Sequence, residues 1–519
     1  MSCHRRQPTL KHGLCRPTAL EDIEVNLVAS VLPPSRVPLS EQQLRELAVN
    51  IEIPNSVLTL GRQFSQAGYQ LHLVGGSVRD ALLGRAGSDI DLCTDARPEA
   101  VLGLLEGWAQ RTWTTGIEFG TVGAARAGLV VEITTFRADR YDRISRSPEV
   151  VYASSLEEDL IRRDFTVNAM ALSLPERVFS DPHGGLGDLV NQQLRTPGAA
   201  ADSFADDPLR MLRTARFVAQ LEFSVTEDII DAASVAADQI TRMSAERVRD
   251  EFSKLLCGKD PVAGLRLLVH TGLAEFMLPE LPGMQLAIDE HHQHKDVYEH
   301  SLTVLSQAIE AEDPASPEGS PDLVLRLAAL LHDIGKPATR RHEPRGGVSF
   351  HHHEVVGAKL TRKRLRAMRY PKEIIEAVSQ LVFLHLRFHG FGRGEWTDSA
   401  VRRYVTDAGP LLSRLHTLVR SDCTTRNRRR AAILSATYDE LEARITAIQA
   451  QEDLARIRPD LDGNEIMRLL GIGPGPLVGQ AWQHLKELRL THGPLDRERA
   501  EAELRSWAVS RGIELPSHE

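Results

Sequence analysis

The stretch LVGGSVRDALLG (residues 73–84), followed by SDIDL (residues 88–92), decides the fold of the N-terminal part of the chain. An apolar strand-like run leads into two glycines and then into a helical pattern, and a second short strand follows. Asp89 and Asp91 stand two residues apart on that second strand, so their carboxylates point to the same face. Hard oxygen ligands on one face are typical of a site for two magnesium ions.

The glycine turn has two interpretations that the sequence leaves open. Gly76 lets the backbone approach a ligand, the helix that follows offers unpaired N–H groups to a triphosphate, and Arg79 can add a charged contact. A glycine pair before a helix is also common as a tight strand-to-helix connection. Glu132, in VEITTF, either completes the acidic cluster on a neighbouring strand or has a structural role.

Length and composition indicate a modular, mostly helical protein. The 519 residues carry a formal net charge of −9, so any binding of nucleic acid must come from local basic faces. Five scattered cysteines argue against a disulfide framework or a cysteine zinc site. No apolar run is long enough to span a bilayer and no secretory signal is visible, so we expect a cytoplasmic protein without a membrane partner.

The hydrophobic patterning predicts an α+β fold. Strand-like runs alternate with glycine turns between residues 71 and 190, and amphipathic helical runs dominate from Pro208 onward. We therefore expect a small head of mixed sheet plus helices and then a long all-α body. The predicted divisions are a disordered or mis-started extension (1–42), the head (43–200), a helical neck (201–285), a histidine-rich helical domain (286–440) and a helical tail (441–519).

A charged segment further along the chain has two interpretations that the sequence leaves open. In DDPLRMLRTARF (residues 206–217), Asp207, Arg210 and Arg213 fall at helical spacing on one face. Charges so arranged often form surface ion pairs only. Alternatively, Asp207 accepts a hydrogen bond from the exocyclic amine of C or A while Arg210 donates to ring acceptors. Uracil and guanine would place a carbonyl oxygen where Asp207 needs a donor. Two acceptors would then face each other, so these bases would be disfavoured.

A second constellation lies in the histidine-rich part, where YEHSL, LLHDIGK, FHHHEVVGA, FLHLRFH and SDC form an H…HD…H…H…D series. Imidazole and carboxylate ligands suit a transition metal. His353 and His385 either extend the site to two metals or contact phosphate. A metal here could also have a purely structural role and hold helices together. The core metal ligands that we predict are His300, His332, Asp333 and Asp422.

The ordered motifs GGSVRD, SDIDL, LIRRDFTVNAMA and DPLRMLRTARF together resemble the bacterial class II CCA-adding tRNA nucleotidyltransferases. That family also includes bacterial poly(A) polymerases and enzymes that add only part of CCA. The resemblance runs from about residue 55 to the C-terminus. It implies a polymerase-β-like nucleotidyltransferase head, a neck that selects nucleotides and a tail that binds tRNA. The histidine series resembles the HD phosphohydrolase domain.

The resemblance assigns roles to particular residues. Asp89 and Asp91 would be the catalytic ligands of Mg²⁺, and Asp164 and Asn168 would shape the pocket for the triphosphate. A divalent transition metal would occupy the HD-type domain. The nucleotide contacts that the resemblance implies, besides Gly76 and Arg79, are Arg163, Asp207, Arg210, Arg213 and Arg216.

The activity that the resemblance implies is addition of C, C and A to the 3′ end of tRNA from CTP and ATP. A poly(A) polymerase or a CC- or A-adding enzyme would use the same chemistry. From other classes, the chain could be mainly an HD metal phosphohydrolase or a non-catalytic RNA-binding chaperone. The Asp89/Asp91 pair and the Asp207/Arg210 pair argue against the phosphohydrolase, and nothing in the sequence favours the chaperone.

Four further segments have informative compositions. The basic runs at residues 362–369 and 426–430 either follow an RNA backbone or are solvated helix faces. The charged segment at residues 137–150 lacks periodicity, which indicates a mobile loop. In the family that the motifs resemble, a loop at this place helps to switch from C to A addition. GIGPGP (residues 471–476) predicts a turn between helices of the tail. The sequence does not indicate an oligomeric state.

Overall fold

The computed structural model of this chain describes residues 40–85, 89–138, 151–285, 296–344, 347–390, 396–424, 427–451 and 458–516. They divide into two compact units, the first ending at Asn191 and including Arg195–Gly198, and the second made of Gln192–Leu194 and the chain from Ala199 onward. The predicted extension (up to residue 39) and most of the predicted loop (residues 139–150) lie outside the described residues. The predicted domain divisions stay predictions.

The first unit is built around a seven-stranded mixed sheet with the strand order β3-β4-β5-β2-β1-β8-β9. Strands β2 and β5 are parallel, and the other neighbouring strands are antiparallel. Strand β1 is buried along its whole length, as expected for an apolar strand between two partners. The strands of this sheet are β1 (Leu71–Val74), β2 (Asp89–Thr94), β3 (Arg111–Trp113), β4 (Thr121–Arg126), β5 (Leu129–Thr135), β8 (Ala171–Ser173) and β9 (Phe179–Ser180). Strands β6 (Arg137–Ala138) and β7 (Val151–Tyr152) form a separate antiparallel pair.

Helices accompany this sheet and begin where the sequence offers caps. Ser40 and Gln43 form a capping box at the start of α1, and the hydroxyl of Ser155 accepts a hydrogen bond from the backbone N–H of Glu158 at the start of α5. The helices of this unit are α1 (Glu41–Val49), α2 (Asn55–Gln66), α3 (Gly76–Leu82), α4 (Pro98–Leu105), α5 (Leu156–Ile161) and α6 (Gly185–Val190).

The described residues of the second unit are mostly helical, as the patterning predicts, and they include two short strand pairs. These are β10 (Gln193–Leu194) with β11 (Ser224–Val225), and β12 (Arg341–His342) with β13 (Val348–Ser349). Its helices up to the histidine-rich part are α7 (Ala200–Asp206), α8 (Leu209–Leu221), α9 (Glu227–Ala236), α10 (Ala245–Leu256), α11 (Pro261–His270), α12 (Leu273–Met277) and α13 (Glu280–Gly283).

The remaining helices carry the histidine series and the tail. The tail helices have a hydrophobic core of their own, which includes Ile466, Leu485 and Leu504. The predicted turn at GIGPGP is confirmed, because α22 ends at a left-handed Gly471 and α23 begins at Pro476. These helices are α14 (Val297–Glu310), α15 (Leu323–Leu331), α16 (Lys336–Thr339), α17 (His353–Ala367), α18 (Lys372–Leu384), α19 (Asp398–Ala408), α20 (Leu412–Ser421), α21 (Arg428–Gln451), α22 (Gly463–Leu470), α23 (Pro476–His492) and α24 (Arg497–Ser510).

Among the described residues, none of the helices combines the length and the apolar character that crossing a membrane requires.

Candidate active site and metal centre

Gly75 joins β1 to α3 in a conformation that side chains disfavour. Its φ is +67° and its ψ is −137°. A Cβ at this position would lie 3.1 Å from Nη1 of Arg163 and 3.6 Å from Oδ2 of Asp91. Both the backbone conformation and the available space therefore select glycine. The turn brings the backbone, a guanidinium and a carboxylate to within a few ångströms of one another.

Three carboxylates lie on one face of the sheet beside this turn. In the parallel pairing of β2 with β5, Asp91 stands opposite Glu132, and Asp89 lies two residues before Asp91 on the same face. Asp89 and Glu132 are exposed, whereas Asp91 is half-buried. The position of Glu132 favours the acidic-cluster interpretation that the sequence left open.

The electrostatics of Asp91 fit a cation site. Burial, together with repulsion from Glu132 and Asp89, raises the pKa of Asp91 to about 6, although Arg163 and Arg79 act in the opposite direction. Hard oxygen donors that repel one another are what a magnesium ion would neutralise. The donor set therefore fits the Mg²⁺ that the sequence predicts for the head.

Ser77 connects the glycine turn to the aspartate strand. Its hydroxyl accepts a hydrogen bond from the backbone N–H of Asp91 at 2.9 Å and donates to the backbone carbonyl of Asp89 at 3.3 Å. Strand β1 pairs only with the later part of β2, from Leu92 to Thr94. Ser77 therefore satisfies backbone groups of β2 that lie beyond the pairing with β1. No local pattern around Ser77 in the sequence indicates this role.

Arg163 is held by a buried carboxylate on α5. Its Nη2 donates to Oδ2 of Asp159 at 2.9 Å, and Asp159 is 2% exposed. Burial alone would raise the pKa of Asp159, but Arg163 and Arg162 lower it below the ordinary value. One edge of the Arg163 guanidinium is thus fixed while the other approaches Gly75. Asp159 was missed in the sequence, although its spacing of four residues from Arg163 is a usable signal.

Arg79 lies in a buried network. It donates to both carboxylate oxygens of Asp80, at 2.9 and 2.7 Å, and to the side-chain carbonyl of Asn168. Asn168 in turn donates to Asp164 at 2.9 Å. These bonds join the GGSVRD and RRDFTVNAM motifs and hold Arg79 in place. Contact of Arg79 or Gly76 with a nucleotide stays a prediction.

In the second unit, Asp207 does not continue a helix as its spacing suggested. It follows α7 in an extended conformation, with φ −137° and ψ 98°, because the ring of Pro208 disfavours a helical residue before it. Its Oδ1 accepts a hydrogen bond from the N–H of Leu209 at 3.1 Å, and its Oδ2 pairs with Arg247 at 3.0 Å. Arg210, on the first turn of α8, donates to the hydroxyl of Ser203 at 2.8 Å.

The two following arginines of α8 share one buried carboxylate. Glu251 on α10 is 5% exposed and lies 2.8 Å from Arg216 and 3.4 Å from Arg213. The guanidinium of Arg216 also lies over the ring of Phe217. Arg247 and Glu251 are not among the residues predicted from the sequence, although they are spaced by one helical turn on α10. The predicted nucleotide contacts of Arg213 and Arg216 stay predictions.

The histidine series converges on one centre, as its order suggested. His300 comes from α14, and His332 and Asp333 follow α15 directly. Nε2 of His300 lies 3.0 Å from Oδ1 of Asp422 and 3.3 Å from Nε2 of His332. Nε2 of His332 lies 3.3 Å from Oδ2 of Asp333. The four predicted core ligands therefore lie together.

His353 and His385 lie on the other side of Asp333. Their Nε2 atoms are 3.2 and 3.9 Å from Oδ1 of Asp333, the oxygen that does not face His332. Two possible metal-ligand groups result, one of His300, His332 and Asp422 and one of Asp333, His353 and His385. Asp333 is placed to contribute to both, since its other oxygen faces the first group.

The second ring nitrogen of each imidazole is already bound. Nδ1 of His332, His353 and His385 lies 2.9, 2.8 and 2.7 Å from a backbone carbonyl, and Nδ1 of His300 lies 3.2 Å from the hydroxyl of Thr424. This arrangement leaves each Nε2 to face the centre, as in metal-binding histidines. Nε2 of His353 and of His385 is buried without a hydrogen bond among the described residues. The side chains therefore fit divalent metal ions.

The pKa values of two histidines at this centre are strongly shifted. Burial alone would lower the pKa of His332, but Asp333 and Asp422 raise it to about 9. Burial and the neighbouring His332 lower the pKa of His385 to about 3. Gly335 allows the close packing around the site, because a Cβ there would lie 2.2 Å from the carbonyl oxygen of His353. Several titratable groups are thus forced together in a buried place, which is typical of functional sites.

Three family models match successive parts of the chain. The Poly A polymerase head domain matches residues 71–195, the probable RNA and SrmB-binding site of polymerase A matches residues 222–284, and the HD domain matches residues 297–417. The first two cover the seven-stranded sheet and the helices that follow α8. The third covers five of the six side chains of the histidine centre and ends before Asp422.

Curated proteins and solved structures give the same picture. The chain is 34% identical over 446 residues to the A-adding tRNA nucleotidyltransferase of Deinococcus radiodurans, which covers 84% of this chain and 95% of that protein. It is 42% identical over 224 residues to the CCA-adding enzyme of Geobacillus kaustophilus, but this match covers only 43% of the chain and 53% of that protein. The fold is similar to that of the Bacillus stearothermophilus CCA-adding enzyme in complex with CTP, with a TM-score of 0.64 and 24% identity over 89% of this chain and 99% of that one. With its head, RNA-binding and HD segments in this order, the chain belongs to the family of tRNA nucleotidyltransferases and poly(A) polymerases and is a nucleotidyltransferase.

Proposed function

We propose that this chain adds C, C and A to the 3′ end of tRNA, using CTP and ATP and no nucleic-acid template. The observation that carries the proposal is the cluster of Asp89, Asp91 and Glu132 on one face of the sheet, beside the Gly75 turn. CCA-adding enzymes are among both the curated relatives and the structural neighbours, some of the latter in complex with CTP, ATP or tRNA.

Asp89 and Asp91 would hold the magnesium ions, with Glu132 as a further carboxylate. When bound, Mg²⁺ would activate the 3′-hydroxyl of the RNA for attack on the α-phosphate and would stabilise the pyrophosphate that leaves. Ser77 fixes the backbone on both sides of Ile90, so the two aspartates keep their spacing. Arg163, anchored by Asp159, presents its other edge near the turn and would bind the triphosphate.

Choice of the base would rest on Asp207 and Arg210 in the second unit. Asp207 would accept a hydrogen bond from the exocyclic amine that C and A share, and Arg210 would donate to ring acceptors. Arg247 pairs with Asp207 and holds its carboxylate. A base with a carbonyl oxygen at the amine position leaves two acceptors opposed, at roughly 1–3 kcal/mol. The protein would thus take the place of a template.

Addition of the terminal A alone is a second candidate, and one comparison favours it. The A-adding tRNA nucleotidyltransferase of Deinococcus radiodurans matches 84% of this chain, whereas the CCA-adding enzymes of Levilactobacillus brevis and Geobacillus kaustophilus match 45% and 43% of it. Both activities need the same carboxylates, and they differ only in which tRNA end and which nucleotide are accepted.

The test uses three tRNA substrates that end before CCA, after the first C and after the second C. Purified protein is incubated with each substrate, Mg²⁺ and one labelled nucleotide at a time, and the products are separated by length. CCA addition predicts incorporation of CTP on the first two substrates and of a single ATP on the third. ATP incorporation on the third substrate alone would establish an A-adding enzyme, and repeated addition of A would indicate a poly(A) polymerase.

The matched control is Asp89→Ala, tested together with Glu132→Gln. We expect Asp89→Ala to abolish incorporation of every nucleotide, since removing a metal ligand disables the chemistry whichever base is selected. Glu132→Gln should lower kcat at limiting Mg²⁺ more than at saturating Mg²⁺. Incorporation that survives Asp89→Ala contradicts the assigned site.

We also propose that the HD centre hydrolyses phosphoesters, such as 2′,3′-cyclic or other terminal phosphates of RNA. The supporting observation is the set of four imidazoles whose Nε2 atoms face Asp333 and Asp422. Nε2 of His353 and of His385 is buried beside Oδ1 of Asp333 without a hydrogen bond among the described residues, which leaves room for a metal ion in addition to one at the His300 group. When bound, divalent metals there would supply an activated water.

Hydrolysis of an RNA with a 2′,3′-cyclic end, in the presence of Mn²⁺ or Ni²⁺, tests this second activity. His332→Ala should abolish the hydrolysis while nucleotide incorporation continues. The converse variant, Asp89→Ala, should hydrolyse normally. Hydrolysis that is equal in His332→Ala and in the unchanged protein would point to a contaminant and overturn the assignment.

A further inference from the structure

Helix α17 carries an exposed face that is purely basic. Lys359, Arg362, Lys363 and Arg366 follow one another at intervals of three, one and three residues, so they lie on one side of the helix. Arg369 lies two residues after the end of the helix, and all five side chains are exposed and line one surface groove. We call this surface the basic face.

Solvation alone does not account for the basic face. Acidic residues outnumber basic ones in the chain, 71 to 62, so a solvated face would be expected to contain both signs. The helix dipole favours cations near the C-terminal end of α17, which accounts for Arg366. It does not account for Lys359, Arg362 or Lys363, which precede the last turn.

The cations of this face differ from a neighbouring arginine that has a structural contact. Arg364 lies on the same helix, and it makes two hydrogen bonds to Glu280, at 2.8 and 3.0 Å. Within the described residues, by contrast, no carboxylate lies within ion-pair distance of the five side chains of the basic face. Like charges this close repel one another, so an external anion would relieve the repulsion.

We propose that the basic face binds the phosphate backbone of the RNA acceptor, so that the helix that carries His353 also serves as an RNA-binding surface. The proposal rests on the proposed function, which supplies tRNA as the polyanion. Residues 359 to 366 span about 10 Å along the helix, enough for more than one phosphate. No base-reading geometry is needed, because backbone contacts carry no sequence information.

The test neutralises four of the five cations together, in the variant Lys359→Gln/Arg362→Gln/Lys363→Gln/Arg366→Gln. The matched control is Lys372→Gln/Arg387→Gln/Arg403→Gln/Arg420→Gln. It also removes four positive charges and lies outside the predicted neck and tail, but each of these cations has a carboxylate partner. Binding of tRNA is measured by fluorescence anisotropy between 50 and 300 mM salt, and circular dichroism checks that both variants are folded.

We expect the basic-face variant to bind tRNA at least about tenfold more weakly at 100 mM salt, with a slope of log K against log salt that is smaller by about 2–4. The control should keep the affinity and slope of the unchanged protein. Equal losses in both variants would overturn the proposal, since bulk charge would then explain them. Unchanged binding in the basic-face variant would also overturn it.

Nucleotide incorporation distinguishes this outcome from failure of the proposed function. If the unchanged protein incorporates no nucleotide into tRNA, the proposed function fails, and the proposal for the basic face falls with it. If the unchanged protein is active, the basic-face variant should have a raised KM for tRNA and an unchanged kcat, because α17 carries no residue of the Asp89 site. An unchanged KM would count against the basic face alone.

Discussion

The half-buried carboxylate of Asp91 should make the folded protein less stable than a variant that lacks this negative charge. Asp91→Asn keeps the shape of the side chain but removes its charge. The pKa of Asp91 is raised from 3.8 to about 6, with burial as the largest cause. At about 1.36 kcal/mol per pKa unit, ionised Asp91 lowers the unfolding free energy by at most about 3 kcal/mol. The substitution should therefore stabilise the head while abolishing nucleotide incorporation.

The sign of the pH dependence follows from proton binding. Between about pH 4 and pH 6 the folded protein holds a proton on Asp91 that the unfolded chain has released, so stability falls as the pH rises through this window. Asp91→Asn does not titrate there. The stability advantage of the variant should be small near pH 4, grow up to about pH 6 and remain constant above it.

The assay must report on the head by itself. Hydrogen exchange of the peptide that covers β2, measured in EDTA, gives the local free energy of opening at each pH. Glu106→Gln serves as the control, because Glu106 is exposed and lies outside the acidic cluster. Added Mg²⁺ should reduce the difference in protection between Asp91→Asn and the protein without the substitution, since Mg²⁺ binds and stabilises the folded form of the latter. If Asp91→Asn is no more protected at pH 7.5, or is equally more protected at pH 4, the reasoning about Asp91 is wrong.

Three further predictions concern the turn, the base-reading group and the metal centre. Gly75→Ala should lower the melting temperature and the activity, and the free energy of unfolding should fall by roughly 1–3 kcal/mol. Gly68→Ala is the control. Gly68 also has a positive φ but has open space around it, so this substitution should lower stability only. Arg247→Met should free the carboxylate of Asp207 and reduce discrimination against UTP by about tenfold in kcat/KM, measured by single-nucleotide incorporation. His385→Ala should reduce the metal content from two ions per chain to one, measured by mass spectrometry of the metal-loaded protein; an unchanged content would exclude its role as a ligand.

Local patterns are sufficient to predict several parts of the head and the HD centre. Strand alternation places Asp89 and Asp91 on one face whatever the neighbouring strands are. The position of Glu132 cannot be derived in this way, because it depends on the parallel register of β2 with β5, two strands that lie far apart in the sequence. The sequence therefore indicates the pair, and the tertiary structure adds the third carboxylate.

Other errors and omissions have identifiable causes. Helical spacing predicts Asp207 on a helical face, but the residue before a proline is driven out of the helical conformation, and this signal is present in the Asp207-Pro208 dipeptide. Glu251 and Arg247 were missed because their partners lie on a different helix, α8 or its N-terminal flank, 35 and 40 residues away. Helical periodicity identifies the face of α10, but it does not identify what that face contacts.

The charges of this chain fall into two groups, and the distinction explains where ligands should bind. Arg163 with Asp159, and Arg364 with Glu280, are paired and hold elements in place. The carboxylates around Asp91 repel one another, which destabilises the folded protein until a cation binds. The basic face carries positive charges instead of negative ones. Here too, like charges lie close together, because they project from one side of a helix whose other side is buried. In both places the fold maintains an unfavourable arrangement that a ligand of opposite charge would relieve. At Asp91, the stability lost through burial and repulsion is therefore partly recovered as binding energy when a cation binds.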